Sequence, residues 1–250
     1  LIVVGERKTE NFDYYNQLKK ELIPYDLGFR KRRIGPPCDG GYVIYAEPLE
    51  QTKSVYSLGV GPISLCDWQL ANMGKIINLY DSAPFTHQVH PNYRFKQIWV
   101  DSKVMDQELD SVTDNNLLLC MDIDGGEYET LTNMKEENLL KFSQISIEIH
   151  WICYEYRTFT PEEGAYGRPR DGQEIVKLLQ LLNKNFYLFH IHENNGANPC
   201  EGFPDVIECS YIRKDLCDKV EKETKAYPLP GIDFPNYNNN VEMPSLNWWL

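Results

Sequence analysis

One stretch constrains this chain more than any other: Leu117-Leu118-Leu119-Cys120-Met121-Asp122-Ile123-Asp124-Gly125-Gly126-Glu127-Tyr128-Glu129-Thr130-Leu131. An apolar run, read as a buried strand, delivers two aspartates into a double-glycine turn, and an acidic helix start follows. Burying unpaired charge is costly, so a strand seldom aims carboxylates at a tight turn unless something binds there. In open α/β sheets the ligand lies beyond the carboxyl ends of the strands. The stretch therefore reads as one wall of an active site in an α/β protein.

The rest of the chain supports that class. It has 250 residues, room for one large α/β domain or two small ones, and its 42% hydrophobic and 25% charged residues are ordinary for a globular protein. The net charge of −12 argues against a nucleic-acid backbone as the main ligand, because phosphates need a basic face. The exception is Arg30-Lys31-Arg32-Arg33, either a contact for an anionic group or a solvated loop. No apolar run approaches the roughly 20 residues of a membrane span, and Leu1–Gly5 is too short for a signal core. The absence of an initial Met suggests an excised domain or processed product. Seven cysteines without a C-x-x-C pair, scattered through apolar segments, predict reduced thiols and hence a cytoplasmic setting.

Three regions follow from the pattern. Residues 1–35 read as a helical lead-in, with Phe12, Tyr15, Leu18 and Leu22 at helical spacing and Pro24 as its stop. Residues 36–225 read as the main domain, and 226–250 as a Pro- and Asn-rich tail that wraps or is irregular, with Trp248 and Trp249 as docking anchors. Within the main domain, core strands are predicted at Ser54–Leu58, Lys75–Tyr80, Tyr93–Val100, Leu117–Met121 and Gln144–Ile149. Ser64 and Asp67 resemble a capping box opening a helix that stops at Gly74. Ile175, Leu178, Leu179 and Leu182 mark a helix lying on a sheet. Phe186–Ile191 and Val206–Ile212 have no helix between them and must pair antiparallel. The fold class is thus a mostly parallel, Rossmann-like sheet with helices on both faces and a reversed C-terminal hairpin.

Gly59-Val60-Gly61, between a strand and a helix, lets backbone approach a ligand, and Asp81 ends the next strand about 20 residues on, where an acid can hold a ribose. Ser82 adjoins it. Asp101 and Ser102 close the third strand, where an adenine edge would lie, or merely cap a helix. The third glycine of the dinucleotide fingerprint is replaced by Ser64, and the reversed hairpin is foreign to the six-stranded dinucleotide fold. With Asp39 and Asp122 available to a sulfonium-bearing tail, S-adenosylmethionine is favoured over a nicotinamide cofactor.

Four stretches together resemble the FkbM-type S-adenosylmethionine-dependent methyltransferases: Asp39-Gly40-Gly41-Tyr42-Val43, Val55–Gly61, Met121–Glu127, and His192-Glu193-Asn194-Asn195-Gly196 followed by Phe203–Glu208. The likeness spans roughly residues 36 to 214. It departs at Asp124-Gly125-Gly126-Glu127, where the family usually has Ala as the third residue of that step. The resemblance implies a class I methyltransferase fold and O-methylation of sugar hydroxyls on glycans or glycosides, often in chains fused to glycosyltransferases.

A sugar hydroxyl is a weak nucleophile and needs a base or a metal. The fourth, fifth and sixth strands end in Asp122, His150 and His192, with Glu148 two residues before His150 on the same face. If those ends lie side by side, Asp122, His150 and His192 form either a Mg²⁺ or Mn²⁺ ligand set or a base with its orienting acid. Glu127 reads more readily as a helix cap than as a ligand, His190 as a packed residue, and the His192–Asn195 stretch as a site element or only a polar turn. The connection from Trp151 to Arg170, dense in Tyr154, Tyr156, Arg157, Phe159, Tyr166, Arg168 and Arg170, reads as a sugar-binding lid or as a self-packed one. A nicotinamide oxidoreductase and a non-catalytic binding module of degenerate methyltransferase fold are the rival readings.

Overall fold

The computed structural model describes residues 11–61, 64–86, 89–153, 172–197, 199, 203–238 and 247–250. The chain enters through helix α1 (Asn11–Glu21) and three short strands, β1 (Tyr25–Asp26), β2 (Lys31–Ile34) and β3 (Tyr42–Tyr45), then α2 (Ala46–Gln51). Alternation follows: β4 (Ser54–Leu58), α3 (Leu65–Asn72), β5 (Ile76–Asp81), β6 (Tyr93–Gln97), α4 (Ser102–Leu109) and β7 (Leu117–Met121). After α5 (Glu127–Asn133) and α6 (Glu136–Leu139) come β8 (Phe142–Ile149), α7 (Gly172–Asn185), β9 (Phe186–Glu193), β10 (Ile207–Arg213) and β11 (Glu221–Lys222).

Seven of these strands form one sheet in the order β6-β5-β4-β7-β8-β10-β9. Neighbours from β6 to β8 are parallel, and β10 runs antiparallel to both β8 and β9. This is the Rossmann-like class expected from the sequence, reversed strand included. Residues two apart along β7 divide between two cores, as strand periodicity demands. Leu117, Leu119 and Met121 join Leu18 of α1, Leu131 of α5 and Leu179 of α7, while Leu118 and Cys120 join Leu49 of α2 and Leu70 of α3. Both faces are covered, which is why the strand reads as an unbroken apolar run.

The ends of the chain are better integrated than the sequence suggests. Leu18 of α1 and Leu22 just after it are fully buried in the main core, and the Tyr14 hydroxyl donates to the Ile152 carbonyl at 3.0 Å. Helix α1 ends just ahead of Pro24, its expected stop, and the lead-in continues as strand: β1 pairs with β11 and β2 with β3. The basic cluster is part of that pairing: Lys31 contacts Glu223 at 3.0 Å, and Arg33 donates to the carbonyls of Pro36 and Cys38. In the tail, Trp249 is buried beside Tyr227 and Trp248 stacks on Phe203 at 4.8 Å, anchoring the segment to its own core.

One cysteine departs from the reduced-thiol expectation. Cys38, Cys66, Cys120, Cys209 and Cys217 are free thiols, but Cys153 is disulfide-bonded, to a partner outside the described residues. Spacing along the chain could not reveal this, since pairing depends on which loops meet in space. Such a bond persists in oxidising surroundings and weighs against the cytoplasmic expectation. Among the described residues, no helix is long and apolar enough to cross a membrane.

Candidate active site

The sheet order turns back on itself between β4 and β7, and there the carboxyl ends of the strands open into a crevice. A cavity of about 870 Å³ occupies it, within the roughly 300–1,000 Å³ usual for small-ligand sites. Its wall includes Asp39, Gly59, Gly61, Asp81, Ser82 and Asp122. Asp81 grips the glycine turn: one carboxylate oxygen accepts from the Val60 and Gly61 amides at 2.9 and 3.4 Å, the other from Ala83 at 2.8 Å. Gly59 serves packing, since a Cβ there would stand 1.7 Å from the Asp122 carbonyl oxygen, whereas one on Gly61 would meet nothing within 4 Å. Asp101 is the N-cap of α4, accepting from the Val104 amide at 2.9 Å. Neither it nor Ser102 borders the cavity, where Trp99 and Val100 form the wall instead. The strand β6 ends three residues before Val100, so Asp101 is carried past the sheet edge and into the helix start.

The capping-box reading fails at α3. Ser64 makes no side-chain cap, and Asp67 turns inward to line the cavity, 5% exposed, with Oδ1 lacking any partner. Burial raises its carboxyl from 3.8 to about 7, against a smaller lowering by Ser57. The folded state therefore binds this proton more tightly than the unfolded chain, and the stability it confers below pH 3.8 is lost by about pH 7. Three pH units correspond to roughly 4 kcal/mol at most. Asp67→Asn is expected to raise the melting temperature of the ligand-free protein by several degrees at pH 8 and to leave it unchanged near pH 4. A variant no more stable than the parent at pH 8 would contradict this account.

Next to the cavity stands a compact group of acids around one imidazole. His150, 8% exposed, follows β8 and is tied to Glu127, which is wholly buried at the start of α5. One Glu127 oxygen accepts from the His150 amide at 2.8 Å and from the ring Nδ1 at 3.1 Å, while the other accepts from the Gly125 amide at 2.8 Å. The Tyr128 hydroxyl donates to the His150 carbonyl. With Nδ1 donating, Nε2 points to Asp122, Asp124 and Glu148, whose nearest oxygens lie at 3.6, 3.7 and 3.8 Å. Two residues flanking this point have left-handed backbones without being glycine, Asp124 at φ 51° and Trp151 at φ 64°, and the Trp151 indole donates to the Asp124 carbonyl at 3.3 Å. Such conformations concentrate at functional sites.

Crowding of like charge shows in the titration of these groups. Burial, then the neighbouring Asp124, Glu127 and Asp39, raise Asp122 to about 7 against the pull of His150. Burial and Asp122 push Glu148 well above the usual carboxylate range. For His150 burial opposes the charge, but Glu127, Glu148 and Asp122 outweigh it and lift the imidazole to about 10.

His192 does not join this group. The inserted strand β10 separates β8 from β9, so Glu208 stands between Glu148 and His192 in the register. His192 Nδ1 donates to Glu208 at 3.1 Å, and the Asn236 amide donates to Glu208 at 2.7 Å and to Asp39 at 2.9 Å. Burial raises the Glu208 carboxyl, but His192, Asn236 and Arg33 bring it below its ordinary value. Of the expected set, Asp122 and His150 come together, and the third donor beside them is Glu148 and not His192: the donor atoms of Asp122, Glu148 and His150 all lie within 4.8 Å of one another. Adjacency had been inferred from chain order, and the reversed strand breaks it. The His192–Asn195 stretch joins elements together: Asn194 donates to Glu148 at 2.8 Å, and Asn195 exchanges bonds with the backbone of Tyr237. His190 is packed, donating to Asp233 at 2.7 Å.

Glu127, Glu208 and Asn236 are the residues that sequence reading underrated. The acidic helix start signalled Glu127 only as a cap; Asn236 lies in the tail and carries no local signal. Of the aromatic and arginine-rich connection, Trp151 lines the cavity, while Tyr154, Tyr156, Arg157, Phe159, Tyr166, Arg168 and Arg170 lie outside the described residues.

No protein-family model matches the chain, and no curated protein matches it. Solved structures similar to it include the fibrillarin pre-rRNA processing protein of Methanococcus jannaschii, 12% identical, with a TM-score of 0.41 over 85% of this chain and 86% of that one. Another is the small RNA methyltransferase HEN1, 14% identical, with a TM-score of 0.35 over 69% of this chain and 25% of that one. The methyltransferase CalO6 is 12% identical, with a TM-score of 0.31 over 64% and 57% of the two chains. The fold assignment rests on the sheet order itself.

Proposed function

We propose that this protein is an S-adenosylmethionine-dependent O-methyltransferase whose acceptor is a sugar hydroxyl of a glycan or glycoside. One observation carries the reading: Asp122 belongs both to the wall of the cavity and to the Asp122–Glu148–His150 group, so cofactor and acceptor positions share an edge. Gly59 and Gly61 after β4, Asp81 at the end of β5 and Asp122 after β7 would hold the cofactor, Asp81 at its ribose and Asp39 and Asp122 toward its methionine end. The acceptor oxygen attacks the methyl carbon in line with the carbon–sulfur bond. An O–C bond forms, the C–S pair returns to sulfur, S-adenosylhomocysteine leaves, and the hydroxyl proton passes to the acidic group. Holding the oxygen in line accounts for much of the rate, as orientation is worth roughly 7–11 kcal/mol.

A neutral polyol is favoured as acceptor because Asp39 and Asp122 on the cavity wall, with Glu148 and Glu208 behind them, offer acceptors for hydroxyls and would repel phosphate. A glycosyltransferase, fused or free, is the natural supplier of such an acceptor.

The test is incubation with labelled S-adenosylmethionine and a saccharide panel, read by mass for a gain of about 14 units per methyl group. Transfer to a saccharide is the expected result; cofactor binding with no transfer to any of them points to the binding-module reading. A melting temperature raised by NAD and not by S-adenosylmethionine would favour an oxidoreductase. Asp81→Ala is expected to weaken S-adenosylmethionine at least tenfold by calorimetry, through the ribose and through release of the Val60–Gly61 amides. Unchanged affinity would remove Asp81 from the site.

A further inference from the structure

We infer that Asp122, Glu148 and His150 form a divalent-cation site, with Glu127 as the positioning carboxylate behind the imidazole. The inference starts from what His150 does not do. Its Nδ1 is committed to Glu127, so Nε2 is turned toward three carboxylates, yet every one of them is beyond hydrogen-bond reach. Separations of 3.6–3.8 Å are too long for direct bonds. They suit donors sharing one cation, since bonds of about 2.0–2.5 Å place neighbouring ligands about 3–3.8 Å apart.

The arrangement is built, not accidental crowding on a surface. The side chains of Glu148 and His150 are 6% and 10% exposed, and Glu127 is 0% exposed. Asn194 holds one Glu148 oxygen at 2.8 Å, orienting the carboxylate toward the imidazole. A carboxylate on the far nitrogen of a ligating histidine is the recurrent support of metal sites, where it sets the tautomer and the ring plane. Glu127 does this and also clamps the His150 amide and the Gly125 amide, so the turn that carries Asp122 and Asp124 is tied to the end of β8.

Donor chemistry selects the ion. Two or three carboxylates with a single imidazole and no thiolate favour Mn²⁺ or Mg²⁺ over Zn²⁺ or copper. The neighbouring acids Asp39, Glu148 and Glu208 also cluster, but Glu208 is bonded to His192 and Asn236, and Asp39 to Asn236. Those bonds already engage Glu208 and Asp39, so these acids are not taken as a second cation position.

The existence of this site stands independently of the proposed reaction; its catalytic use rests on the methyltransferase reading. In that use the cation lowers the pKa of an acceptor hydroxyl, and the proton goes to a carboxylate oxygen left free by Asp122 or Glu148.

The deciding experiment is a titration of the purified chain with Mn²⁺ alone, following the free-ion signal by electron paramagnetic resonance, with Mg²⁺ as competitor. One saturable Mn²⁺ per chain, displaced by Mg²⁺, is expected. Asp122→Asn and His150→Gln should each weaken it at least tenfold, Glu127→Gln by about 10- to 100-fold. His192→Asn should leave it within about twofold, which separates this set from one that includes His192. Thermal melts and circular dichroism, measured on the same samples, verify that each variant is folded, and S-adenosylhomocysteine affinity is measured separately on the parent chain. No saturable Mn²⁺ binding by the parent chain, or undiminished binding by both Asp122→Asn and His150→Gln, overturns the proposal. Failure of S-adenosylhomocysteine to bind the parent chain would instead strike the methyltransferase reading and leave the cation site standing.

Discussion

Gly59→Ala should lower the melting temperature by about 10 °C or more and abolish binding of S-adenosylmethionine. Gly59 has φ +77°, and the added methyl would overlap the Asp122 carbonyl oxygen at 1.7 Å and its carbon at 2.7 Å. Neither partner can yield cheaply. The Gly59 amide donates to Tyr80 at 2.9 Å on one side, and the Asp122 amide donates to Leu58 at 2.9 Å on the other. Relief of the clash means opening the β4–β7 ladder where the crevice is formed. The left-handed conformation alone costs about 1–2 kcal/mol for a residue with a Cβ, and the enforced backbone shift brings the total to roughly 3–5 kcal/mol. For a chain of this size each kcal/mol is worth about 2–4 °C. Gly61→Ala is the internal control: its φ is +59°, but an added Cβ meets nothing within 4 Å, so only the conformational cost remains. Equal melting temperatures for the two variants would show that contact between the two strand ends is not what demands Gly59.

His150→Ala should cut methyl transfer by about 10²–10⁴-fold while leaving S-adenosylhomocysteine affinity within a few-fold of the parent. The split follows from position. His150 lies beyond the lining of the cavity, yet its Nε2 faces Asp122, Asp124 and Glu148 together. Removing the ring leaves Glu127 with the His150 amide and the Gly125 amide, so the buried carboxylate keeps two of its three donors. The loss of stability is correspondingly about 1–3 kcal/mol, small enough for the variant to be assayed folded. Full turnover in His150→Ala would move the chemistry elsewhere. A parallel loss of cofactor affinity would mean that the group supports the cavity and not the acceptor.

Much of this architecture could be read from local chemistry. The apolar run of β7, the double glycine and the helical spacing of Ile175, Leu178, Leu179 and Leu182 each specify an element through residues near one another in the chain. The strand ends that face the crevice were legible for the same reason: Gly59, Asp81 and Asp122 each close an apolar segment. Where local signals were ambiguous, the bland alternative sometimes won. Asp101 is a cap; the basic run from Arg30, read as an anionic contact or a solvated loop, is neither and forms half of a strand pair. Asp67 looked like a cap and is a buried acid.

What the chain order alone determined was the strands of the central sheet, most of their polar tips and the reversal of one of them, because a strand and its terminus are written in consecutive residues. Which tips meet was decided only in three dimensions. Insertion of β10 between β8 and β9 placed Glu208 beside His192 and left Glu148 as the partner of Asp122 and His150. The fold also brought Asn236 from the tail onto Asp39, and turned Glu127 from a helix start into the support of an imidazole. These contacts join residues far apart in the chain, and their energies depend on burial and on distances of a few ångströms, quantities that exist only once the sheet has closed.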